Sequence, residues 1–489
     1  MGNFHLKVEI TFTSEFIAYF MRFSSLFPIF YSIMEKVIVM FTNNKILILG
    51  FARSGYEAAK LLIQRGNEVI LNDGKDESKQ NAEQVKELTD LGVKFIFGSH
   101  PDDLLDESFD YLVKNPGVPI DHKYVLKARE LGIGVLNEVE VAYRLLPKDV
   151  TLIGITGTNG KTTTTTLIYE MIKKSGKSVH LAGNIGYPLC SFLPKLKKDD
   201  IIVMEVSCQQ LNDVKEFHPH IAVMTNLSPA HIDFLKSYEN YKNVKTKLFQ
   251  NQTSADFAIL NYDNQDVQMQ TQIILSTKEY FSSKTTDTNI YLKDQSIYLD
   301  GEEFVKTSDI FLKGTHNYEN IMAAILAVRK VGVPKEDIIQ VLKTFRGVEH
   351  RLEFVRNYHG ITFYNDTEAT NIKCTQIALQ TFKEPTIIFL GGMERGQDFN
   401  ELTPYMDHVK AILAIGTCRN RVQDYGNKLN IPTYSYEYLK DAFPKAMEIA
   451  ASGDIVLLSP ASASWDQYKE CEVRGAEFKK YVEELNDED

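Results

Sequence analysis

The sequence predicts an α/β protein of three consecutive doubly wound, parallel-sheet domains of the Rossmann type. Three observations predict this class: near-continuous apolar segments, helical segments between them, and glycine-rich turns where one passes into the other. Apolar strands joined by helices are typical of parallel sheets that are covered on both faces. A length of 489 residues leaves room for roughly three such domains.

The first domain is expected over residues 34–140, where the pattern starts at residue 44. Its predicted strands lie at 45–50, 68–73, 91–98, 110–117 and 133–140, with helices at 56–66 and 124–130.

Two further domains are expected over residues 141–347 and 348–489. The central one has predicted strands at 150–157, 201–207, 220–227 and 257–261, a β-rich stretch at 290–304 and a helix at 318–332. The third has predicted strands at 386–392, 411–416 and 454–460.

The longest apolar run, residues 16–34, precedes this pattern. It approaches the ~20 residues of a membrane span, but Arg22 and a proline interrupt it. A membrane anchor, a signal peptide and a leader outside the working protein are three possible interpretations. We favour a leader over residues 1–33, because Met34 and Met40 stand just before the first strand. No stable membrane insertion is expected.

Composition excludes several classes of protein. Hydrophobic residues at 44% and charged residues at 24% are globular values that exclude collagen-like, coiled-coil and disordered chains. The net charge of −11 argues against a nucleic-acid partner or an anionic membrane surface. Five scattered cysteines without a C-x-x-C motif predict neither a zinc site nor disulfides and fit a reducing cytoplasm.

The segment LIGITGTNGKTTTT (152–165) predicts a phosphate-binding loop between a strand and a helix. Gly157 and Gly160 permit close backbone approach, so that successive N–H groups can face phosphate oxygens. Lys161 can reach the β- and γ-phosphates, and the Thr162 hydroxyl can hold Mg²⁺. An isoleucine replaces the first glycine of the usual spacing. The alternative is an ordinary glycine-rich turn; we favour a P-loop ATPase domain.

Two further polar residues are expected near the carboxyl ends of neighbouring strands, where parallel α/β sheets bind ligands. Glu205 lies inside the apolar segment VMEVS, where an unpaired buried carboxylate would be unfavourable. His231 follows the strand at 220–227. The alternatives are a solvent-facing strand-end glutamate and a structural histidine.

Five separated motifs resemble the Mur ligases, the ATP-dependent amide-bond-forming enzymes of peptidoglycan synthesis, and the resemblance covers essentially everything after residue 44. These are GTNGKT (157–162), Glu205, His231, GTHNYEN (314–320) and EHRLE (349–353), in that order.

The resemblance is strongest to the members that add D-glutamate to UDP-N-acetylmuramoyl-L-alanine. The supporting segments are LGFARSG (49–55), KNPGVP (114–119), AGNIG (182–186), NDTEATN (365–371) and the run at 457–478. It implies that ATP phosphorylates the substrate carboxylate, and that the amine of D-glutamate then attacks the acyl phosphate and expels phosphate. A cytoplasmic monomer is expected.

The resemblance also implies two Mg²⁺ ions. Thr162 and Glu205 match positions near the first ion, and His231 and a carbamylated Lys245 match those near the second. The implied catalytic residues are Lys161, Glu205, His231 and Lys245. A solvated helix lysine is the alternative for Lys245, and Lys242 and Lys247 are close neighbours.

Binding residues carry over in the same way. ATP would contact Gly157, Thr158, Asn159, Gly160, Lys161, Thr162, Thr163, Asn320, Arg351 and Asp366. The uridine diphosphate would meet Arg53, Ser54 and Asp73, the sugar–peptide Asn184, and the D-glutamate carboxylates Arg395 and Ser464. The turn at 49–55 can equally be structural, and Arg395 can be a solvent-facing loop charge.

Two positions depart from the family pattern. Glu368 stands where the family usually has lysine, and Cys471 replaces a larger apolar residue. If Glu368 faces the reacting phosphate, its charge opposes the anionic intermediate and activity is reduced. If it faces away, activity is unaffected. An inactive nucleotide-binding relative therefore stays as an alternative. Another Mur-type or folylpolyglutamate-type ligase is a further alternative, because such relatives share the phosphate loop and the histidine.

Overall fold

The computed structural model describes residues 40–230 and 232–486. The predictions for residues 1–33 and for His231 lie outside these residues. Three parallel-rich α/β sheets are present, which confirms the predicted fold class. The described residues divide into two compact units. The first contains residues 40–161, 172–290 apart from 231, and 323–332; the second contains residues 162–171, 291–322 and 333–486.

The first sheet has five parallel strands in the order β3-β2-β1-β4-β5. Its strands are β1 (Lys45–Leu49), β2 (Glu68–Asp73), β3 (Lys94–Phe97), β4 (Tyr111–Lys114) and β5 (Gly134–Leu136), and its helices are α1 (Arg53–Gln64), α2 (Ala82–Asp90), α3 (Lys123–Glu130) and α4 (Glu138–Arg144).

The strand predicted over residues 133–140 is too long. It ends at Leu136, because the Asn137 side chain accepts a hydrogen bond from the Glu140 N–H and caps α4. An asparagine in this position satisfies an N–H group that has no partner within the helix.

The second sheet contains six parallel strands in the order β11-β10-β9-β6-β8-β7. They are β6 (Thr151–Thr156), β7 (Val179–Gly183), β8 (Ile201–Glu205), β9 (Ile221–Met224), β10 (Phe257–Asn261) and β11 (Thr277–Ser282), with helices α5 (Lys161–Lys174), α6 (Cys208–Asn212), α7 (Ile232–Leu235), α8 (Tyr238–Thr246) and α9 (Gln265–Gln270). The carboxyl ends of β6, β8 and β9 therefore meet at one edge.

The β-rich stretch forms three strands, of which the last two are an antiparallel hairpin. These strands are β12 (Ile290–Lys293), β13 (Ser296–Leu299) and β14 (Glu302–Lys306), followed by α10 (Thr315–Lys330) and α11 (Lys335–Thr344).

The third sheet has the order β15-β16-β20-β17-β18-β19, and its β15–β16 pair is antiparallel. Its elements are β15 (Glu353–Tyr358), β16 (Ile361–Asn365), α12 (Ile372–Thr381), β17 (Thr386–Gly391), β18 (Val409–Ile415), α13 (Arg419–Lys428), β19 (Thr433–Ser435), α14 (Leu439–Ile449), β20 (Ile455–Leu458) and α15 (Cys471–Glu483). Because β17 lies between β20 and β18, the loops that follow these strands share one edge.

Both faces of the third sheet are covered, which explains its continuous apolar strands. Ile388 and Leu390 of β17 pack into one apolar cluster, whereas Ile387 and Phe389 pack into another. Successive side chains of a strand point to opposite faces.

No helix among the described residues is both long enough and apolar enough to cross a bilayer.

Candidate active site

The glycine-rich loop after β6 is held by the end of the neighbouring strand β9. The Thr158 N–H donates to the Asn226 carbonyl at 2.8 Å, and the Asn159 N–H donates to Asn226 Oδ1 at 2.9 Å. Thr225 Oγ1 donates to the Asn159 carbonyl at 2.6 Å. The loop is therefore formed by contacts within the chain itself.

Gly157 cannot be replaced in this arrangement unless the loop or the Thr225 side chain moves. Its φ is +146°, and a Cβ atom there would lie 1.9 Å from Thr225 Oγ1. Lys161, at the start of α5, donates from Nζ to the Thr158 carbonyl at 2.9 Å. The loop thus leads directly into a helix, which is the order of elements that a phosphate-binding loop requires.

Glu205 ends β8 in the strand next to β6 and is 1% exposed, so the solvent-facing alternative is wrong. Its Oε1 accepts a hydrogen bond from Asn184 Nδ2 at 2.8 Å. Its Oε2 is buried and has no hydrogen-bond partner among the described residues. A buried carboxylate oxygen without a donor is unfavourable unless another group compensates its charge, so Oε2 can serve as a ligand for a cation.

Lys245 lies on α8 and is 1% exposed, so it is not a solvated helix lysine. Its Nζ donates to Thr156 Oγ1 at 3.0 Å and lies 5.2 Å from the centre of the Tyr241 ring. Burial, with the charge of Lys161 as the next cause, lowers the pKa of Lys245 to about 7. Much of this amine is therefore uncharged at neutral pH.

The residues assigned to the uridine diphosphate lie at the carboxyl edge of the first sheet. Arg53 Nη1 donates to the Gly186 carbonyl at 3.4 Å, and Ser54 Oγ accepts from Asn115 Nδ2 at 2.9 Å. Helix α1 has no side-chain cap at its N-terminus. Asp73 anchors the turn, because its two oxygens accept from the N–H groups of Phe51 and Lys75 at 2.7 and 2.8 Å.

Several residues assigned to ATP lie in the second compact unit. Thr162 is buried and follows Lys161 directly, and Thr163 is half-buried. Asn320 on α10 is 6% exposed, and its Oδ1 accepts from Thr164 Oγ1 at 3.4 Å.

Asp366 follows β16 and is buried. Its carboxylate accepts from the Leu352 N–H at 3.1 Å and from Ser459 Oγ at 2.7 Å. Burial raises the pKa of Asp366 to about 7.

The unusual Glu368 forms an ion pair with Arg351, with 3.4 Å between Oε2 and Nη2. Within the second compact unit this carboxylate thus faces a cation. The other departure, Cys471, begins α15, and burial raises the pKa of its thiol to about 12.

Arg395 and Ser464 lie on the loops after the adjacent strands β17 and β20. The Arg395 guanidinium lies 4.6 Å from the ring centre of Trp465. Ser464 Oγ is buried and has no hydrogen-bond partner in the described part of the chain. Arg395 also lines a cleft of about 370 Å³ with Ser462 and Ala463.

Sequence reasoning missed Arg474, a fully buried guanidinium on α15. It donates to the carbonyls of Thr367 and Ser462, both at 3.1 Å, and so joins the loops after β16 and β20. Its Nη1 is buried and has no hydrogen-bond partner among the residues described. The sequence signal is weak, because an arginine on a C-terminal helix usually faces solvent.

The structure therefore assembles the loop, Glu205, Asn184 and Lys245 around the edge of the second sheet. It assembles Arg351, Asp366, Arg395 and Ser464 along the edge of the third. A parallel sheet, a glycine loop at its carboxyl edge and the helix after it define a phosphate-loop nucleotide-binding protein.

Comparison with known proteins defines the particular family. The Mur ligase middle domain matches residues 155–328, and the Mur ligase glutamate ligase domain matches residues 350–462. The chain belongs to the Mur ligase family, and it is an ATP-dependent, amide-bond-forming ligase of peptidoglycan precursor synthesis.

Curated relatives named UDP-N-acetylmuramoylalanine–D-glutamate ligase match over most of the chain. The protein of Geobacillus kaustophilus is 43% identical over 448 residues, which cover 91% of this chain and 98% of the relative. That of Streptococcus agalactiae is 43% identical over 455 residues, 93% of this chain and 100% of the relative. The crystal structure of UDP-N-acetylmuramate-alanine ligase from Thermotoga maritima shares the fold, with a TM-score of 0.55 at 17% identity over 90% of this chain and 100% of that one.

Proposed function

We propose that this ligase joins D-glutamate to UDP-N-acetylmuramoyl-L-alanine, with ATP as the source of energy. The observation that carries the proposal is the 43% identity to relatives named for this reaction, over 91–93% of the chain. The assembled phosphate loop, Glu205 and Lys245 support it, because they supply the groups that the chemistry needs.

The reaction has two bond-forming steps. A carboxylate oxygen of the L-alanyl group attacks the γ-phosphorus of ATP, and ADP leaves. The amine of D-glutamate then attacks the carbonyl carbon of the acyl phosphate, and phosphate leaves. Carboxylate and triphosphate repel each other, so Lys161 and the loop N–H groups act by stabilising negative charge on the phosphates.

The site chemistry fits Mg²⁺, which prefers oxygen ligands. Glu205 would hold one ion through Oε2, the buried oxygen that has no donor. Such an ion would supply positive charge that offsets the charge of the phosphates. The assignments of Thr162 to this ion, of His231 to a second ion, and of Asn320, Arg351 and Asp366 to ATP stay predictions.

We propose that Lys245 is carbamylated. Its pKa of about 7 leaves the uncharged amine that can add to the carbon of CO₂; the nitrogen then loses a proton and an anionic carbamate results. This change converts a buried amine into an oxygen ligand and places a negative charge near Lys161.

The nucleotide sugar would bind at the carboxyl edge of the first sheet, and the amino acid at the edge of the third sheet. The uncapped N-terminus of α1 with Arg53 and Ser54 suits a diphosphate. Arg395 suits a carboxylate, because its planar fork can bond both oxygens. The five free cysteines support a reducing, cytoplasmic location. We also propose that the protein is a monomer. Its domain boundaries are proposed near residues 141 and 347.

A ligation assay that offers D-glutamate, L-alanine and L-lysine in parallel tests the proposal. We expect a product only with D-glutamate, and loss of that product in Lys161→Ala but not in the exposed control Lys148→Ala. Preference for another amino acid would assign a different member of the family. Absence of phosphate release with D-glutamate would identify an inactive relative.

A further inference from the structure

We infer that Trp465 is a positioning residue whose ring holds Arg395 in place for the carboxylate of the amino-acid substrate. The inference deepens the proposed function and rests on it. Trp465 is the only tryptophan of the 489-residue chain. It is also 63% exposed, so burial of apolar surface does not account for a large aromatic side chain at this position.

The two loops that carry the pair are joined at their bases. The Met393 N–H donates to the Ala463 carbonyl at 2.8 Å, and Gln397 Nε2 donates to Ser462 Oγ at 2.5 Å. Because β17 and β20 are adjacent strands, both loops start from a rigid sheet edge. The Arg395–Trp465 contact is therefore made between two anchored segments.

The charge of Arg395 is available to a ligand. The neighbouring Glu394 is paired with Arg421, whose Nη1 lies 2.5 Å from its Oε1. Across residues 40–230 and 232–486, no carboxylate lies within ion-pair distance of the Arg395 guanidinium. Its described side-chain contact is the indole ring at 4.6 Å.

A cation over an aromatic face is attracted by the ring quadrupole. This contact restricts a long side chain that would otherwise sample many rotamers, and so reduces the entropy lost when a carboxylate binds. The adjoining cleft of about 370 Å³ is lined by Lys373 and also by the acidic Asp398 and Glu401. Its two cations, Lys373 and Arg395, suit the two carboxylates of an acidic amino acid.

Kinetics of the full chain test the inference. Trp465→Ala is expected to raise the KM for D-glutamate by about two- to fivefold, with the KM for ATP unchanged, and Trp465→Phe to restore part of the loss. Tyr438→Ala is the matched control, because it removes an exposed aromatic–lysine pair from the same domain (5.2 Å to Lys440).

A double-mutant cycle separates positioning from a general packing role. In an Arg395→Ala background, Trp465→Ala is expected to cause no further rise in the KM for D-glutamate. An unchanged KM in Trp465→Ala, or an equal rise in both backgrounds, would overturn the inference while leaving the proposed function intact. Failure of the wild type to use D-glutamate would instead contradict the proposed function.

Discussion

Lys245 combines deep burial with a neighbouring cation, and both oppose its charge. Its pKa of about 7 lies below the ordinary value of 10.5. The unfolded chain therefore binds more protons than the folded one between these values, and stability rises with pH across this window. Below about pH 7 the full unfavourable contribution of the buried cation is present.

Replacement of Lys245 by Met removes this pH dependence. In metal-free, CO₂-depleted buffer, the stability advantage of Lys245→Met over wild type is expected to grow by about 2–3 kcal/mol between pH 9 and pH 6. Urea unfolding at both pH values measures it, with the exposed Lys198→Met as control. If the stability difference between Lys245→Met and wild type does not change with pH, the pKa of Lys245 is not lowered in the folded protein.

Gly157 provides a second test at the scale of one residue. Gly157→Ala places a Cβ 1.9 Å from Thr225 Oγ1, so we expect at least a roughly tenfold loss of ATP affinity, equivalent to about 1.4 kcal/mol. Gly176→Ala is the control, because Gly176 also has a positive φ, of +79°, but open space around it. Calorimetric titration with ATP compares the two; equal affinities would contradict the steric argument.

Most candidate residues of the central site stand out in the sequence, either through a conflict with their surroundings or through a loop motif. Glu205 stands inside an apolar strand, and Gly157 and Lys161 stand in a distinctive loop. The resemblance was needed for Lys245, since a lysine among lysines on a helix carries no signal of burial. Arg474 could not be found, because only the tertiary fold brings its partners to it: two backbone carbonyls and the Thr367 hydroxyl.

At the scale of elements, α4 shows where pattern reading fails. The apolar run before Asn137 continues as Val139 and Val141, so the sequence itself shows no break in the strand pattern. The N-cap at Asn137 and the contacts of Glu140 stabilise a helix instead of a strand over these residues. Short or half-exposed strands at sheet ends, such as β7 and β19, were missed for the related reason that their apolar runs are incomplete.

Glu140 on α4 is expected to contribute measurably to the free energy of unfolding. It is fully buried, accepts from the N–H groups of residues 215, 216 and 217, and pairs with Arg144 at 2.8 Å. Glu140→Ala is expected to lower the free energy of unfolding by about 2–4 kcal/mol, because three N–H groups and a guanidinium lose their acceptor.

Denaturant unfolding measures this loss. Glu68→Ala, which breaks the exposed Lys94–Glu68 pair, is the control and is expected to change stability by less than about 1 kcal/mol. Equal effects of the two variants would contradict a special role for Glu140.

At the scale of the whole molecule, the three sheets could be predicted from the apolar segments, because each central strand is buried on both faces.

Truncation tests the interpretation of residues 1–33 as a leader. Since 448 residues of this chain match 98% of a relative, a chain that begins at Met34 is expected to ligate with an unchanged kcat/KM.

A longer truncation is the control for that experiment. Phe41 is 2% exposed and lies 5.1 Å from the ring of Tyr111, and its carbonyl accepts from Asn67. A chain that begins at Thr42, and so lacks Met40 and Phe41, should therefore unfold at a lower temperature. Lower activity in the chain that begins at Met34 would show that the first 33 residues contribute to the enzyme.

The bonds from Thr225 and Asn226 to the glycine loop have a consequence for thermodynamics. A binding segment that is already ordered surrenders little configurational freedom when its ligand arrives, so more of the interaction energy appears as affinity. Both residues are uncharged and act on the loop rather than on a phosphate. Their loss would accordingly weaken nucleotide association chiefly through its entropy, leaving the enthalpy of the phosphate contacts nearly as before.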